Sequence, residues 1–526
     1  MNKSEKYLYN RITDKNSDFV MWMAFPGIYS FSMSSLGYLW MFKTIDEIQG
    51  INIERICSDT ETTKYNIADV KVFGFSFSFD MDFLTIFSML EKYRLPLKAA
   101  ERYGMPLVFA GGPVVSANPE PYKEFFDFFI IGDGEDVNLK VIEICKNNQD
   151  KDKTEILKML SEVEGVYVPM YPKQVQKLTK KLTECIYTPI LSENSFFKET
   201  FILEVSRGCA NRCGFCLASY LNLPLRCVPY EELIKTIDLG LSYTNKIALL
   251  GAQISAHPHF HDICRYIYEK IQSGQHIEMS VSSLRVDAIT PDVVKTLVAA
   301  GQKNSTLAIE AGSDRLRRVI NKNLTEEQIF NAVKIARDNG LKGLKFYGMI
   351  GLPTETQEDL QDIITLAEKL KKGNKGFDIS FGFSSFVPKP NTPFQWCGRE
   401  STKALEEKSN FLKKELHKLG ITAHVSSIKW DYWQAVLSRG DASLNDFVLD
   451  VYKNGGKLGA FKTAAKKLNI NAESFATENY SFDKVLPWDF IQIKPEKDFL
   501  IKENQRLIMQ QEYSQSKQDL TIFHNN

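Results

Sequence analysis

Short apolar runs alternate with amphipathic stretches through the first 140 residues of the chain. Each apolar run ends in glycine, proline or acidic residues, and the runs are Phe19–Phe25, Val70–Phe79, Pro106–Ala110 and Phe125–Ile131. Between them lie helical patterns such as Phe83–Tyr93. Strands separated by helices are typical of βαβ units, so this part predicts a Rossmann-like domain with a parallel sheet over residues 1–150.

A second series of the same kind runs from residue 200 to about residue 395. Its six predicted strands are Phe201–Val205, Lys246–Leu250, Glu278–Leu284, Ser305–Ile309, Leu344–Ile350 and Ile379–Val387. Thr290-Pro291 and the capping box Thr325–Gln328 mark helix starts between them. Six βα units are too few for an eight-unit barrel, so residues 196–398 predict an open, partial (βα)6 barrel.

The remaining segments differ in character from these two series. Residues 151–195 are polar and predict a linker. Residues 399–526 are charged and mostly helical in pattern, which predicts a helical C-terminal domain. The expected fold class is therefore α/β, with a Rossmann-like parallel sheet, a partial barrel and a mostly helical C-terminal segment.

One stretch, Phe19–Phe42, carries no charge and is long enough to raise the question of a membrane span. Pro26, Gly27, Gly37 and four serines interrupt it, which favours a buried strand, a turn and a helix start. Nothing at the N-terminus resembles a secretion signal. We therefore expect a cytoplasmic protein without a membrane segment.

Charge and cysteine content narrow the classes of function. The 65 basic and 65 acidic residues cancel, so no basic excess indicates nucleic acid or an anionic membrane as a partner. Of the nine cysteines, three lie within eight residues and six are scattered. That pattern is typical of a metal site in a reducing cytoplasm and differs from the disulfide framework of a secreted protein.

The three close cysteines, Cys209, Cys213 and Cys216, follow a predicted strand with the spacing C-x3-C-x2-C. A [4Fe-4S] cluster normally takes four thiolates, so three would leave one iron open to a substrate, as in catalytic metal sites. Gly208 and Gly214 allow the loop to wrap tightly around a cluster. The loop also carries two positive charges expected beside an anionic cluster, Arg207 and Arg212.

Two other interpretations of these cysteines stay open at this point. A structural zinc site would need a fourth ligand, from Cys227 or a histidine. The three thiols could also be buried and inert. His257, His259 and His261 form a further cluster, which is either a polar loop or a set of metal or proton-transfer residues.

The segment Glu204–Tyr220 (EVSRGCANRCGFCLASY) resembles the cluster-binding loop of the radical S-adenosylmethionine (SAM) superfamily, in which it opens a partial (βα)6 barrel. The resemblance implies a [4Fe-4S] cluster that passes one electron to SAM, giving methionine and a 5′-deoxyadenosyl radical that removes a hydrogen atom from a substrate. It also implies an electron donor such as flavodoxin or ferredoxin. Phe215 matches the aromatic position expected to touch the adenine.

The resemblance extends along the barrel. Gly251-Ala252-Gln253 stands where the superfamily usually has Gly-Gly-Glu for the SAM amino group, a departure that leaves this contact open. Ser283 and Arg285 match positions that give polar contacts to the ribose or carboxylate of SAM. Glu310 is the expected catalytic residue, because a carboxylate on an otherwise apolar strand needs a partner.

A narrower resemblance covers nearly the whole chain, to a superfamily subset with a cobalamin-binding-like domain before the barrel. The matching stretches include Gly111–Pro121 (GGPVVSANPEP), Glu310–Thr325 (EAGSDRLRRVINKNLT) and Leu486–Asp489 (LPWD). Residues at positions that approach the nucleotide tail of cobalamin are Ser76, Ser78, Gly111 and Gly112. Pro26–Phe31 (PGIYSF) replaces the D-x-H-x-x-G motif, so cobalamin would bind without a histidine ligand, or the domain has lost it.

Three functions stay open. The first is a cobalamin-dependent radical SAM enzyme, such as a methyltransferase that acts on an unactivated carbon. The second is a cobalamin-independent radical SAM enzyme that abstracts hydrogen for rearrangement or for RNA or protein modification. A methylthiotransferase should carry a second cysteine set, whereas Cys57, Cys145 and Cys185 are scattered. The third is a non-enzymatic iron–sulfur sensor.

Overall fold

A six-stranded sheet forms the centre of the N-terminal half. The computed structural model describes residues 5–12 and 17–522, the side chains of residues 510–522 excepted. The strands of this half are β1 (Glu5–Tyr7), β2 (Val20–Phe25), β3 (Asn52–Cys57), β4 (Val70–Ser76), β5 (Leu107–Gly111), β6 (Phe128–Ile130), β7 (Val166–Tyr167), β8 (Val175–Gln176) and β9 (Ile190–Ser192). The sheet has the order β3-β2-β4-β5-β6-β7, and all neighbours are parallel except β6 and β7.

Helices cover both faces of this sheet. They are α1 (Tyr29–Ser32), α2 (Leu36–Asp46), α3 (Phe83–Lys92), α4 (Pro113–Ala117), α5 (Glu135–Asn147) and α6 (Lys153–Ser161). Alternate side chains of β4 enter two different cores, Phe73 with the residues of α3 and Val72 with those of α2 and α5. Both faces are buried, which explains the nearly continuous apolar runs in the sequence.

The segment predicted as a linker, residues 151–195, has more regular structure than expected. Helix α6 buries Ile156 and Leu160 in the core beneath the sheet. Strand β7 then adds an antiparallel edge strand to the sheet, and β9 pairs with β1. The polar composition concealed these elements because each one buries only a few apolar residues.

The uncharged stretch between residues 19 and 42 forms β2, α1 and part of α2. Its strand is buried in the sheet, and α2 buries Leu39 and Phe42 beside it. None of the described helices is both long enough and apolar enough to span a bilayer.

The second half contains an open, partial barrel. Its strands are β10 (Phe201–Glu204), β11 (Ser206–Arg207), β12 (Arg226–Cys227), β13 (Lys246–Leu250), β14 (Glu278–Val281), β15 (Asn304–Glu310), β16 (Gly343–Ile350), β17 (Asp378–Ser385) and β18 (Thr422–Val425). Parallel strands form two sheets, β10-β13-β14 and β15-β16-β17-β18, which a bridge between Leu284 and Leu307 connects. The helices between these strands are α7 (Leu217–Leu221), α8 (Tyr230–Tyr243), α9 (Phe260–Gln272), α10 (Pro291–Ala299), α11 (Asp314–Val319), α12 (Glu326–Asp338) and α13 (Gln357–Gly373).

The α/β fold class is confirmed, with one addition. Strand β18 is a seventh parallel strand and lies in the segment predicted to be a helical domain. Its four residues follow α14 (Thr402–Lys418), which connects it to β17. Two of the four are polar, so the strand carries a weak sequence signal.

The remaining C-terminal elements pack onto the N-terminal half. They are α15 (Ile428–Arg439), α16 (Leu444–Lys453), α17 (Leu458–Lys467), α18 (Ala472–Ala476), β19 (Ile491–Gln492) and α19 (Lys497–Ile522). Phe447 and Phe461 share one apolar core with Phe83 of α3. This core ties the C-terminal helices to the Rossmann-like sheet.

Candidate active site

The three cysteines lie in the loop between β11 and α7, which follows the carboxyl end of the first barrel strand, β10. Cys209 and Cys213 are buried, Cys216 is half-buried, and all three are free thiols. Cys216 immediately precedes α7. The loop therefore has three unpaired sulfur ligands on backbone that neighbouring elements hold in place.

Two glycines fix the course of this loop. Gly208 has a φ of +84°, and a Cβ at this position would lie 2.3 Å from the carbonyl oxygen of Asn222. A Cβ on Gly214 would lie 2.8 Å from the ring of Phe394 and 2.9 Å from Leu507. Because both contacts would be too close for a side chain, the local fold requires glycine at these positions.

The thiols fit a group that binds thiolates. Burial raises the pKa of Cys213 to about 12, and burial also raises the pKa of Cys216. Iron binds the deprotonated form, so cluster assembly would release these protons. No three His, Cys, Asp or Glu side chains of the described residues converge as ligands of one metal ion would. A [4Fe-4S] cluster has a different requirement, because each thiolate binds a separate iron.

Gln253 reaches the cysteine loop from the end of β13. Its Oε1 lies 3.1 Å from the Sγ of Cys209, and it accepts a hydrogen bond from the Nδ2 of Asn211. Ala252 is exposed, and a Cβ on Gly251 would lie 2.9 Å from the carbonyl oxygen of Ser206. This segment therefore lies beside the first cysteine, with a neutral amide where the superfamily usually has a carboxylate.

Glu310 lies at the carboxyl end of β15 and forms an ion pair that the sequence analysis did not identify. Its Oε1 accepts a hydrogen bond from the Nζ of Lys322 at 3.1 Å, and both side chains are at most 12% exposed. Besides the dominant effect of burial, Lys322 lowers and Glu310 raises the pKa of Cys213. Both charges are thus within electrostatic reach of Cys213. The sequence signal for this ion pair was Lys322, because a lysine that is buried requires a partner.

The other positions expected to bind SAM lie on the same side of the barrel. Ser283 is exposed in the loop after β14, and Arg285 forms an ion pair with Asp287 at 2.8 Å. The pKa of Arg285 is raised overall. Burial lowers it, but the effect of Asp287, followed by those of Cys213 and Cys209, outweighs the effect of burial. Phe215 is half-buried against the apolar cluster that contains Met349.

A cavity of about 550 Å³ lies between the Rossmann-like sheet and the barrel. The carboxyl-terminal residues of four parallel strands line it, namely Ser76 of β4, Gly111 of β5, Glu204 of β10 and Leu250 of β13. All four positions that the resemblance to cobalamin domains indicated, Ser76, Ser78, Gly111 and Gly112, line it as well. The two halves of the chain thus present the ends of their strands to one shared cavity.

An ion-pair network connects the floor of this cavity to the cysteine loop. Arg207 donates to Glu204 at 2.8 Å and pairs with Asp133 at 3.0 Å and Glu135 at 2.8 Å. Arg226 pairs with the other oxygen of Asp133 at 2.6 Å. The expectation that Arg207 offers its charge to the cluster is therefore wrong, because three carboxylates occupy its guanidinium.

The histidines form a local hydrogen-bonded turn. His257 is buried, and its Nε2 lies 2.8 Å from the carbonyl oxygen of Val228. Its Nδ1 accepts a hydrogen bond from the backbone of His259, whose ring contacts Asp262 at 3.0 Å. These contacts describe a polar loop in which the rings of His257 and His259 each have a structural partner.

The C-terminal helix α19 contributes to the site, which the sequence analysis missed. Leu507 is fully buried against Phe394 and Gly214 of the cysteine loop. Asn504 donates from Nδ2 to the carbonyl oxygen of Pro393 at 2.7 Å. No motif in the sequence marks this helix. Its contact with the loop joins residues almost 300 positions apart, and local sequence patterns do not reveal contacts at such a separation.

Two family models match the chain. The model described as "Radical SAM proteins, N-terminal" matches residues 41–169, and the model of the radical SAM superfamily matches residues 203–367. The second match includes the cysteine loop, Gln253 and Glu310.

Two relatives illustrate the range of similarity. An uncharacterised protein of Methanocaldococcus jannaschii is 36% identical over 354 residues, which are 66% of this chain and 73% of that protein. The tRNA-2-methylthio-N(6)-dimethylallyladenosine synthase of Chromohalobacter salexigens is 28% identical over 218 residues, 37% of this chain and 44% of the synthase. This chain therefore spans less than half the length of the synthase.

Two solved structures share the fold. OxsB, a cobalamin-dependent SAM radical enzyme solved with aqua-cobalamin and SAM, is 14% identical with a TM-score of 0.52, over 96% of this chain and 81% of OxsB. The radical SAM methyltransferase TsrM of Kitasatospora setae, solved with cobalamin and a [4Fe-4S] cluster, is 12% identical with a TM-score of 0.51, over 69% of this chain and 74% of TsrM. At such identities the similarity is one of fold.

Proposed function

This chain belongs to the radical SAM superfamily, and we propose that it is a cobalamin-dependent member that methylates an unactivated carbon. The superfamily's cofactors are a [4Fe-4S] cluster and SAM. Cys209, Cys213 and Cys216 are the residues that would hold the cluster. When bound, the cluster supplies the electron that cleaves SAM into methionine and a 5′-deoxyadenosyl radical.

The chain's own residues prepare this site in separate ways. Asn321 donates from Nδ2 to the carbonyl oxygens of Asn211 at 2.9 Å and Arg212 at 3.0 Å, which holds the middle of the cysteine loop. Lys322 holds the carboxylate of Glu310 at the carboxyl end of β15. We assign Glu310 the catalytic role of orienting SAM, because its largely buried carboxylate is within electrostatic reach of Cys213.

The observation that supports cobalamin is the shape of the cavity between the two halves. Its volume of about 550 Å³ is within the range of about 300–1,000 Å³ for ligand sites. Six glycines line it, namely Gly37, Gly74, Gly111, Gly112, Gly132 and Gly134. At Gly37 and Gly111 a Cβ would find no atom closer than 3.8 Å, so the bare backbone of these two leaves open surface on which a large planar ligand could lie.

The proposal is for cobalamin held without a histidine ligand on cobalt. No histidine is among the described residues that line the cavity. Ile28 stands at the histidine position of the D-x-H-x-x-G motif. Its side chain is 44% exposed and does not line the cavity either. Serine side chains, backbone amides and the side chains of Asn138, Lys177 and Asn222 are among the polar groups that line the cavity and could bind the cofactor.

The test is anaerobic reconstitution with iron, sulfide and hydroxocobalamin, followed by desalting, metal analysis and an absorption spectrum. We expect about four irons per chain, as for one [4Fe-4S] cluster, and cobalt in about a 1:1 ratio to protein. Four irons without cobalt would leave the radical SAM assignment intact and contradict the cobalamin proposal. The spectrum of bound cobalamin would also show whether an imidazole ligates cobalt.

The cobalamin-independent alternative includes the methylthiotransferases, which have a second cluster in their N-terminal domain. The three N-terminal cysteines of this chain lie in different places, Cys57 on the strand β3, Cys145 in α5 and Cys185 in the barrel core. Their separation supports the cobalamin-dependent proposal over this version of the alternative.

A further inference from the structure

We propose that a basic surface beside the cysteine loop is the docking site of an acidic one-electron carrier protein of the flavodoxin or ferredoxin type. The inference rests on the proposed function, which needs one electron for each SAM molecule cleaved. The basic surface consists of Arg212, Arg318, Lys502 and Arg506, all of them exposed.

Two elements bring three of these cations together. The guanidinium of Arg212 lies over the ring of Phe499, 5.5 Å from its centroid, at the first turn of α19. Lys502 and Arg506 follow Phe499 by three and seven positions, which places them on the same face of that helix. The cysteine loop and α19 thus present one continuous basic face.

Helix α11 supplies the fourth cation. It packs against α19 through Leu316, Val319 and Leu507, which leaves Arg318 exposed. The Nη2 of Arg506 contacts the Oδ1 of Asn321 at 3.3 Å, in the loop that directly follows α11. The basic surface therefore spans three segments that contact one another.

The charge on this surface is largely uncompensated. Arg212, Arg318 and Lys502 form no ion pair with any described residue. Among the side chains of this helix that the structure describes, the half-buried Glu503 pairs with Arg506 at 2.8 Å, and the exposed Asp498 lies in the first turn. In a chain with a net charge of zero, this local excess attracts an acidic partner and can raise its association rate by ten-fold or more.

The position of the surface favours electron entry. Arg212 directly precedes the ligand Cys213. The carbonyl oxygen of Asn321 lies 4.0 Å from the Sγ of Cys213, while its side chain contacts Arg506. A single residue thus bridges a cluster ligand and the proposed surface. One electron leaves the carrier, which is oxidised by one electron, and the cluster is reduced by one, with no proton or atom transferred.

A small group of cations could also bind RNA phosphates, so the experiment must separate the two partners. Contact with the cluster loop favours the electron carrier, because an RNA substrate would have to reach the SAM side of the barrel. RNA binding is therefore treated as an outcome that would overturn the proposal.

The test compares two charge-reversed variants of the reconstituted full-length enzyme. The first is Arg318→Glu with Lys502→Glu. The matched control is Lys295→Glu with Lys303→Glu, which changes the net charge equally at exposed lysines on and after the outer helix α10. Neither pair includes a residue of the cofactor or substrate site, and iron content and the electron paramagnetic resonance signal are first shown to match wild type.

The measurement is the bimolecular rate constant for cluster reduction by flavodoxin hydroquinone in stopped-flow, at low and high salt. We expect a loss of about ten-fold or more for the first variant at low salt, and little change for the control. Reduction by photoreduced deazaflavin, a small molecule that needs no docking surface, should be unchanged in both.

Equal slowing of both variants, or of neither, would overturn the proposal. Unchanged flavodoxin kinetics together with lost tRNA binding in the first variant would also overturn it and identify an RNA surface. A wild-type enzyme that failed to assemble a cluster would contradict the proposed function instead, since iron analysis precedes the kinetics.

Discussion

Glu310 and Lys322 show how single residues determine the environment of the cysteines. Glu310 has a φ of +65°, a left-handed conformation that costs roughly 1–3 kcal/mol for a residue with a side chain. The sequence predicted that this carboxylate needs a partner, but not which one. Lys322 lies between Asn321 and Asn323, which both have positive φ, and this irregular loop directs its side chain back to the barrel.

Replacing Lys322 by Met should destabilise the barrel strongly. The substitution leaves the Glu310 carboxylate, which is only 12% exposed, without its cation, and breaking a buried pair from one side costs up to about 3–5 kcal/mol. Thermal unfolding of the purified protein would measure the loss. The double variant Glu310→Gln, Lys322→Met should recover much of it, because no buried charge is left unpaired. A double variant as unstable as the single one would contradict this account.

At the scale of elements, the sequence predicted those parts whose periodicity is strong and missed those held by distant contacts. The six barrel strands, the capping box before α12 and the proline at the start of α10 all match the structure. Strand β18 was missed because it is short and half polar. Helix α19 lies in the segment predicted to be mostly helical, but its packing on the cysteine loop, through Leu507 against Gly214 and Phe499 against Arg212, is a contact that no local pattern shows.

Replacing Leu507 by Ala should loosen the cysteine loop and shorten the lifetime of the cluster in air. Leu507 is fully buried, and such truncations cost about 2–5 kcal/mol because they leave a cavity. The decay of the cluster absorption after exposure to air would measure the effect. Met509→Ala is the matched control on the same helix, since Met509 is 57% exposed. Equal decay in both variants would show that α19 does not support the loop.

At the scale of the whole molecule, the arrangement of two parallel sheets creates the site. Ligands of open α/β sheets bind at the carboxyl ends of the strands, and here the ends of β4 and β5 face those of β10 and β13 across one cavity. The sequence predicted each set of ends separately, from glycines and serines in one half and cysteines in the other. It could not predict that they face each other, because the network around Arg207 that joins them involves acidic residues from both halves.

Replacing Gly111 by Leu should separate the two cofactors. A Cβ at Gly111 finds no atom closer than 3.8 Å, and its φ lies outside the left-handed region, so the strand tolerates a side chain that extends into the cavity. We expect bound cobalt to fall by at least about ten-fold, since an added side chain in a ligand cavity commonly costs about 1–3 kcal/mol. Iron content should stay at the wild-type value, because the cysteines belong to the other sheet.

The same substitution at Gly104, which has open space around it, is the control. If cobalt and iron fell together, the cavity and the cluster loop would form one folding unit, whereas unchanged cobalt would place cobalamin elsewhere.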